Sequence, residues 1–345
     1  MGTMNNKMNK GAALITVLII VFIVMSIITN LTVKNYRIIR RLTNQKILEQ
    51  CFSVLNLAVN FGRAGLATSA STSDIDTLND IWAQPIPRTL IVNDIEMSGY
   101  LIDEQGKFNI NDMVSNGQIN MNVVAQFEQL LTYLNIPNVL ALNIANYMAS
   151  PKYVQGIATE YTSGSPAYTP SGRPLVDLSE LQLVKGMQPD WVFKLSDYVT
   201  VVPQSIDGLI NDQNESANVN TNPNINPPKG FGTVPVNINT APAQVIAAKS
   251  GLPLTMAQRI ATIRKNTPFK TQQDITNFLT SNGIIISQGG NGSNDIHLET
   301  LTTKSSYFMV HAMVDKGEYE FKWVAFLYRP NRSGQWPQIL WQHPE

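Results

Sequence analysis

Residues 11–33 read GAALITVLIIVFIVMSIITNLTV, and no charged residue lies between Lys10 and Lys34. At about 1.5 Å per residue this stretch is about 34 Å long as a helix, which is enough to cross a hydrocarbon core of roughly 30 Å. It is longer than the apolar part of a secretory signal, about 7 to 15 residues, and no Ala-x-Ala cleavage site follows it. We therefore predict one membrane-spanning helix, residues 12–33, that stays on the mature chain.

The residues before the span form a short leader, 1–11, that carries Lys7 and Lys10 and ends at Gly11. Ala12 and the apolar run follow at once. This arrangement resembles the type III signal of type IV pilins and pseudopilins, with a plain signal anchor as the alternative. The resemblance implies that a prepilin peptidase cuts between Gly11 and Ala12 and that the new amine of Ala12 is methylated.

The fifth residue after that cut departs from the usual pilin pattern. Most members of the family carry Glu at this position, where the present chain has Thr16. The Glu would neutralise the free amine of the neighbouring subunit, because an unpaired charge inside a membrane or filament is unfavourable. Thr16 supplies no charge, so the chain suits the top of a filament better than its shaft.

The composition bounds what the rest of the chain can be. The 345 residues are 43% apolar and 14% charged with a net charge of zero, which is enough chain for more than one core and no general demand for nucleic acid. The lone Cys51 excludes an intrachain disulfide. His297, His311 and His343 are isolated, and no metalloprotease or hydrolase motif occurs. We expect a protein that is not an enzyme.

The charges beside the span favour a membrane topology opposite to the one that the pilin-like leader implies. Five cations follow the span, and only two precede it: Lys34, Arg37, Arg40, Arg41 and Lys46 against Lys7 and Lys10. The positive-inside rule would place the bulk of the chain in the cytoplasm. The pilin-like leader implies an extracytoplasmic globular part, and we follow the leader.

Hydrophobic periodicity divides the rest of the chain into four segments. Residues 34–67 continue the first helix with a period near 3.6, and the Ser/Thr-rich stretch after Ala67 is predicted to end it. Strands are predicted in 68–110, at 90–92 and 97–102, and in 291–345, at 307–314, 319–328 and 338–342. Residues 111–290 form a helical insertion between the two strand blocks, with helices at 123–134, 138–148, 178–184 and 189–195 and an Asn/Pro-rich loop at 211–229.

Four phrases in and around this insertion carry a more specific resemblance. In chain order they are 106–111 (GKFNIN), 173–187 (RPLVDLSELQLVKGM), 198–203 (YVTVVP) and 236–242 (VNINTAP). They resemble the K-type minor pseudopilin of the type II secretion system, and with the leader the similarity covers nearly the whole chain. The implied fold is α+β: a pilin-like transmembrane helix packed on an antiparallel sheet, with a large all-α domain of helix-hairpin-helix or SAM-like type inserted in the sheet.

The resemblance also implies a place and partners. The chain would be a single-pass protein of the inner membrane of a Gram-negative bacterium, with its globular part in the periplasm. It would join the I- and J-type minor pseudopilins at the pseudopilus tip and contact other pseudopilins, the secretion platform and the prepilin peptidase. We predict the partner interface on the stalk helix, at Leu48, Phe52, Leu55 and Val59.

Two ligand hypotheses remain open beside this one. Residues 237–279 resemble a helix-hairpin-helix of competence DNA receptors, and Lys249, Arg259, Arg264, Lys265 and Lys270 make that segment basic. The hairpin turn reads Ser250-Gly251-Leu252-Pro253, so a Pro replaces the second Gly and offers no N–H to a phosphate. No cofactor is required, but Asp207, Asp212 and Glu215 offer oxygen ligands for a structural calcium ion.

Overall fold

A single long helix carries both the span and the stalk. The computed structural model describes residues 5–92, 94–154, 156–164, 166–202, 233–285, 296–330 and 335–345, with side chains from residue 12 onward. Helix α1 (Asn5–Thr72) is continuous through both predicted segments. It ends five residues later than predicted, and the hydroxyls of Thr68 and Thr72 donate to the carbonyls of Ala64 and Thr68 in its last turns. Such bonds to preceding carbonyls are compatible with a helix.

Short strands and helices follow α1. The elements up to residue 202 are β1 (Ile86–Val92), β2 (Ile95–Asp103), β3 (Phe108–Asn109), β4 (Val114–Ser115), β5 (Gln118–Ile119), α2 (Met121–Tyr133), α3 (Val139–Met148), α4 (Ile157–Thr162), α5 (Pro189–Leu195) and β6 (Val199–Thr200). The later described elements are β7 (Val236–Asn237), α6 (Ala243–Ser250), α7 (Leu254–Ile263), α8 (Gln272–Ser281), β8 (Leu301–Thr302), β9 (Tyr307–Lys316), β10 (Tyr319–Tyr328) and β11 (Gln338–Pro344).

The two strand blocks form one antiparallel sheet of five strands in the order β1-β2-β9-β10-β11. β2 and β9 are neighbours, paired from Ile95 opposite Lys316 to Asp103 opposite Phe308. Strands far apart in sequence therefore meet in the centre of the sheet. The predicted fold class, a long N-terminal helix and an antiparallel sheet with a helical insertion, is confirmed.

The stalk half of α1 packs on one face of this sheet. Cys51, Val54, Leu55 and Ala58 form a core with residues of β1, β2 and β9, and Val59 and Leu66 form a second core further along. Helix and sheet approach closely at Gly62. A methyl group there would lie 3.2 Å from carbons of both Leu101 and Val310, so the small residue allows the contact.

The insertion is longer and less purely helical than predicted. The chain leaves the sheet at Asp103 and returns at Tyr307, whereas the predicted insertion covered residues 111–290. Two parallel strand pairs, β3 with β6 and β7 with β8, lie inside it. Residues Leu178–Leu183, predicted as part of an α-helix, form a 3-10 helix. The insertion has its own large apolar core, which includes Phe127 and Leu131 of α2 and Ile144 of α3.

Candidate functional site

The membrane-proximal half of α1 is exposed on all sides. From residue 12 it contains a segment long and apolar enough to cross a membrane, with a mean hydropathy of 3.0 in its best window, and so fits a membrane anchor. The bond between Gly11 and Ala12 lies within α1. The Thr16 hydroxyl donates to the carbonyl oxygen of Ala12 at 2.6 Å, so it is satisfied inside its own helix.

The predicted interface residues do not form one exposed surface. Leu48 and Phe52 are 43% and 44% exposed, and the Phe52 ring meets Trp323 of β10 edge-on at 5.3 Å. Leu55 and Val59 are 3% and 1% exposed, inside the core between α1 and the sheet. The prediction for Leu55 and Val59 was wrong, because the apolar period along the stalk marks the face that packs on this chain's own sheet.

Another pair of apolar residues on α1 is exposed and was missed. Leu57 and Phe61, one turn apart, are 47% and 57% exposed. They lie on the flank of α1 away from Leu48 and Phe52. An i, i+4 pair outside the main apolar period is the signal that could have identified them. We name Leu57 and Phe61 the free flank.

The predicted hairpin is present but its turn has no free donors for a phosphate. It consists of α6, a turn and α7, with Gly251 in the left-handed conformation at a φ of 74°. The Gly251 N–H donates to Ala247 O at 3.0 Å, and the Leu252 N–H donates to the Ser250 hydroxyl at 3.3 Å. Pro253 has no N–H, so the turn lacks the anion-binding donors of a nucleic-acid hairpin.

Two of the five basic residues of this segment are internal. The Arg264 guanidinium donates to the carbonyls of Ile238 at 2.5 Å, Ala241 at 2.6 Å and Thr240 at 3.2 Å. Burial lowers the pKa of Arg264 to about 10. These bonds tie the end of α7 to the loop after β7. Arg264 is therefore part of the fold, while Arg259, Lys265 and Lys270 are exposed.

Lys249 is fully buried and paired. Its Nζ lies 3.0 Å from the Asp112 carboxylate, and the two side chains are 0% and 3% exposed. The ammonium also lies over the Phe108 ring, 4.6 Å from its centroid. Asp112 accepts further bonds from Asn109 Nδ2 and the Val234 N–H. Burial raises the pKa of Asp112, and Lys249 opposes that shift.

A second buried polar cluster joins the insertion to the sheet. Asn237 Nδ2 donates to the carbonyl of Asp76 and to the side chains of Asp103 and Ser305, at 2.8 to 3.2 Å. The hydroxyls of Thr240 and Ser305 each donate to Asp103 at 2.6 Å. Burial raises the pKa of Asp103 to about 6. The Asp76 carboxylate pairs with Arg329, just after β10.

The phrase at 106–111 has a similar structural role. Asn111 Nδ2 donates to the carbonyls of Leu175 and Val202, and its Oδ1 accepts from the Leu175 N–H. Asn109 Oδ1 accepts from the Val202 N–H at 2.9 Å. Three of the four quoted phrases, 106–111, 173–187 and 198–203, therefore meet one another in space. They hold the insertion together through buried amide side chains, which satisfy backbone groups that irregular chain leaves open.

The residues proposed for calcium, Asp207, Asp212 and Glu215, lie outside the described residues, as does the loop at 211–229. Asp80 is an acidic residue nearer the stalk. Its carboxylate accepts hydrogen bonds from the Thr77 N–H and from Trp82 Nε1 and so stabilises the loop in which it lies. Within the described ranges, no three His, Cys, Asp or Glu side chains are grouped to hold a metal ion. The calcium site stays a prediction.

Comparisons with known proteins agree on one family. The profile described as type II secretion system, protein K, matches residues 106–204 and 236–292. Type II secretion system protein K of Pseudomonas aeruginosa is 26% identical over 334 residues, 93% of this chain and 89% of that protein. The protein K of Klebsiella pneumoniae is 29% identical over 229 residues, 63% of this chain and 67% of that protein.

A solved structure has the same fold. The crystal structure of the GspK-GspI-GspJ complex from enterotoxigenic Escherichia coli contains a chain that matches with a TM-score of 0.62 at 19% identity, over 88% of this chain and 99% of that one. Both profile matches cover the phrases that organise the insertion, and the relative from Pseudomonas aeruginosa extends over nearly the whole chain. Over nearly its whole length the chain is therefore similar to protein K of the type II secretion system, the K-type minor pseudopilin.

Proposed function

We propose that this chain is a K-type minor pseudopilin held in the inner membrane of a Gram-negative cell, with its globular part in the periplasm, and that it occupies the pseudopilus tip with the I- and J-type subunits. The related chain of known structure was crystallised with GspI and GspJ. The role is structural, without catalysis or a required cofactor, and also involves other pseudopilins, the secretion platform and the prepilin peptidase.

The observation that carries the tip position is the state of Thr16. A shaft subunit needs an acid at this depth to meet the amine of its neighbour, and the Thr16 hydroxyl is already bonded to Ala12 O in its own helix. The bulk of the insertion, joined to the sheet at Asp103 and Tyr307, would also obstruct neighbouring subunits in a filament. Both features favour a subunit with no other above it.

Processing of the leader is the first expected result. In cells that contain the prepilin peptidase, we expect the mature chain to begin at N-methylated Ala12, and replacement of Gly11 by a bulky residue to leave the leader attached. Mass spectrometry of the N-terminal peptide measures both. A mature chain that retains Lys7 and Lys10 would show a plain signal anchor.

The free flank provides a test of assembly. We expect Leu57→Asp with Phe61→Asp to reduce co-purification of the I- and J-type subunits roughly tenfold or more, because charges replace apolar area that helix packing would bury. Quantitative immunoblotting of a detergent pull-down gives the measurement. Asn56→Asp with Asn60→Asp is the matched control, since both positions are exposed on α1 and the added charge is the same. Full retention by the Leu57/Phe61 variant would place the interface elsewhere.

Duplex DNA is not favoured as a ligand. Lys249 and Arg264, two of the residues that suggested it, are bonded inside the insertion. The N–H groups of Gly251 and Leu252 are also occupied. What remains is three exposed cations without a phosphate-binding turn, an ordinary solvated surface.

A further inference from the structure

Four cations on α1 directly follow the membrane-spanning segment. Lys34, Arg37, Arg40 and Arg41 are all exposed, and no acidic residue occurs between residue 34 and Glu49. Within the described residues, none of these four side chains forms a salt bridge, whereas several other Lys and Arg residues do. We name Lys34, Arg37, Arg40 and Arg41 the basic collar.

The basic collar occupies one side of the helix. At about 100° per residue, its four members fall within an arc of roughly 120°. The exposed apolar residues of the same segment, Tyr36, Ile38, Ile39 and Leu42, occupy the remainder. Lys46 falls outside the arc. The segment is therefore amphipathic even though none of the residues that the structure describes packs on it.

The helical phase shows which way the basic collar faces. Continued along α1 at the same rotation per residue, its side coincides with the side of Leu55 and Val59, which pack on the sheet. Ile39 falls on the side of Leu57, and Tyr36 falls near Phe61. The basic collar thus points away from the free flank, where helices of neighbouring subunits would pack. A partner helix on the free flank leaves the collar uncovered.

The depth of the basic collar matches the lipid headgroups. Arg41 lies eight residues beyond Val33, roughly 12 Å along the helix, and the headgroup layer is about 5 to 8 Å thick on each side of the hydrocarbon core. Lysine and arginine side chains are long enough to reach back toward that layer. A guanidinium donates two parallel hydrogen bonds to a phosphate, which makes arginine suited to this contact.

We propose that the basic collar binds anionic phospholipid headgroups of the leaflet on the globular side of the membrane. Removal of the leader would also remove Lys7 and Lys10, so the collar would contain the cationic side chains nearest to the span in the mature chain. The contact would hold the subunit at a fixed depth and would have to be released when assembly draws it out of the bilayer. It rests on membrane anchorage and is independent of which subunits are partners.

The test uses the full chain in neutral detergent with phosphatidylglycerol or phosphatidylcholine added, and native mass spectrometry counts the bound lipids. We expect the unaltered chain to retain phosphatidylglycerol about tenfold or more in preference at roughly 0.1 M salt, and less at high salt, because screening weakens the contact. The variant with Lys34, Arg37, Arg40 and Arg41 all changed to Gln should lose the preference.

A matched control removes the same charge elsewhere. Lys152, Arg259, Lys265 and Lys270 are exposed cations of the insertion, and changing all four to Gln should leave the lipid preference unchanged. Equal preference in the collar variant and the unaltered chain would overturn the proposal. So would loss of the I- and J-type subunits from the collar variant in lipid-free detergent, because the collar would then be a protein contact.

Discussion

Replacement of Arg264 by methionine is expected to lower the free energy of unfolding by roughly 3 to 5 kcal/mol, because three buried carbonyls lose their donor together. Those carbonyls belong to Ile238, Thr240 and Ala241, in the loop that precedes α6. Methionine fills much of the volume, so the loss measures the hydrogen bonds rather than a cavity. Urea unfolding of the full chain in detergent, followed by tryptophan fluorescence, provides the value.

Arg259 on the same helix is the control. It is exposed, and Arg259→Met removes the same charge with an expected change within about 0.5 kcal/mol. Equal stability of the two variants would mean that Arg264 does not hold the loop. A surface role for Arg264, as a DNA-binding hairpin would need, predicts that equality.

Replacement of Lys249 by methionine is expected to destabilise the chain by roughly 3 to 5 kcal/mol near neutral pH, because it leaves the Asp112 carboxylate buried without its cation. The difference in unfolding free energy between the variant and the unaltered chain should become smaller at acid pH. Without Lys249, the main influence that opposes burial is lost, so the pKa of Asp112 rises further above the unfolded value. The folded variant then takes up a proton that the unfolded chain does not, so its stability rises as the pH falls through the folded pKa. Urea unfolding at neutral pH and at about pH 5 measures both effects.

The double variant with Lys249→Met and Asp112→Asn separates charge from packing. A neutral amide removes the buried charge, so we expect it to recover part of the stability lost in Lys249→Met and to abolish the narrowing in acid. If the double variant is as unstable as Lys249→Met at both pH values, the stability is lost because the lysine stem no longer packs against Phe108.

Local pattern was sufficient for the five strands of the main sheet and for α2, α3 and α5. The alternation in β10 predicted Tyr319–Tyr328 with the bounds observed, and Pro189–Leu195 was predicted from a proline at a helix start. The two strand blocks were predicted to form one sheet, and the structure adds that β2 and β9 are the strands that join them. These elements depend on side-chain period and turn chemistry, which a single sequence contains.

The site was less accessible to the same reasoning. Periodicity shows that Leu55 and Val59 lie on the face of α1 that packs on another element. It does not show whether that element is this chain's own sheet or another subunit. Composition likewise counts Lys249 and Arg264 as surface charge, although each is paired by residues far away in sequence. Burial of a charged group is set by tertiary contacts, so only the structure assigned these two to the interior.

The pairing of β2 with β9 has a mechanical consequence. Helix α1 contacts β2, β9 and β10 directly, and the insertion begins and ends where β2 and β9 lie side by side. A thrust along α1 would therefore pass into the central strands and load them in shear, the direction in which paired strands resist best. The insertion branches from the end of that path. We therefore expect the helix and the sheet to transmit the mechanical force when the filament advances, and the insertion to move with them under little load.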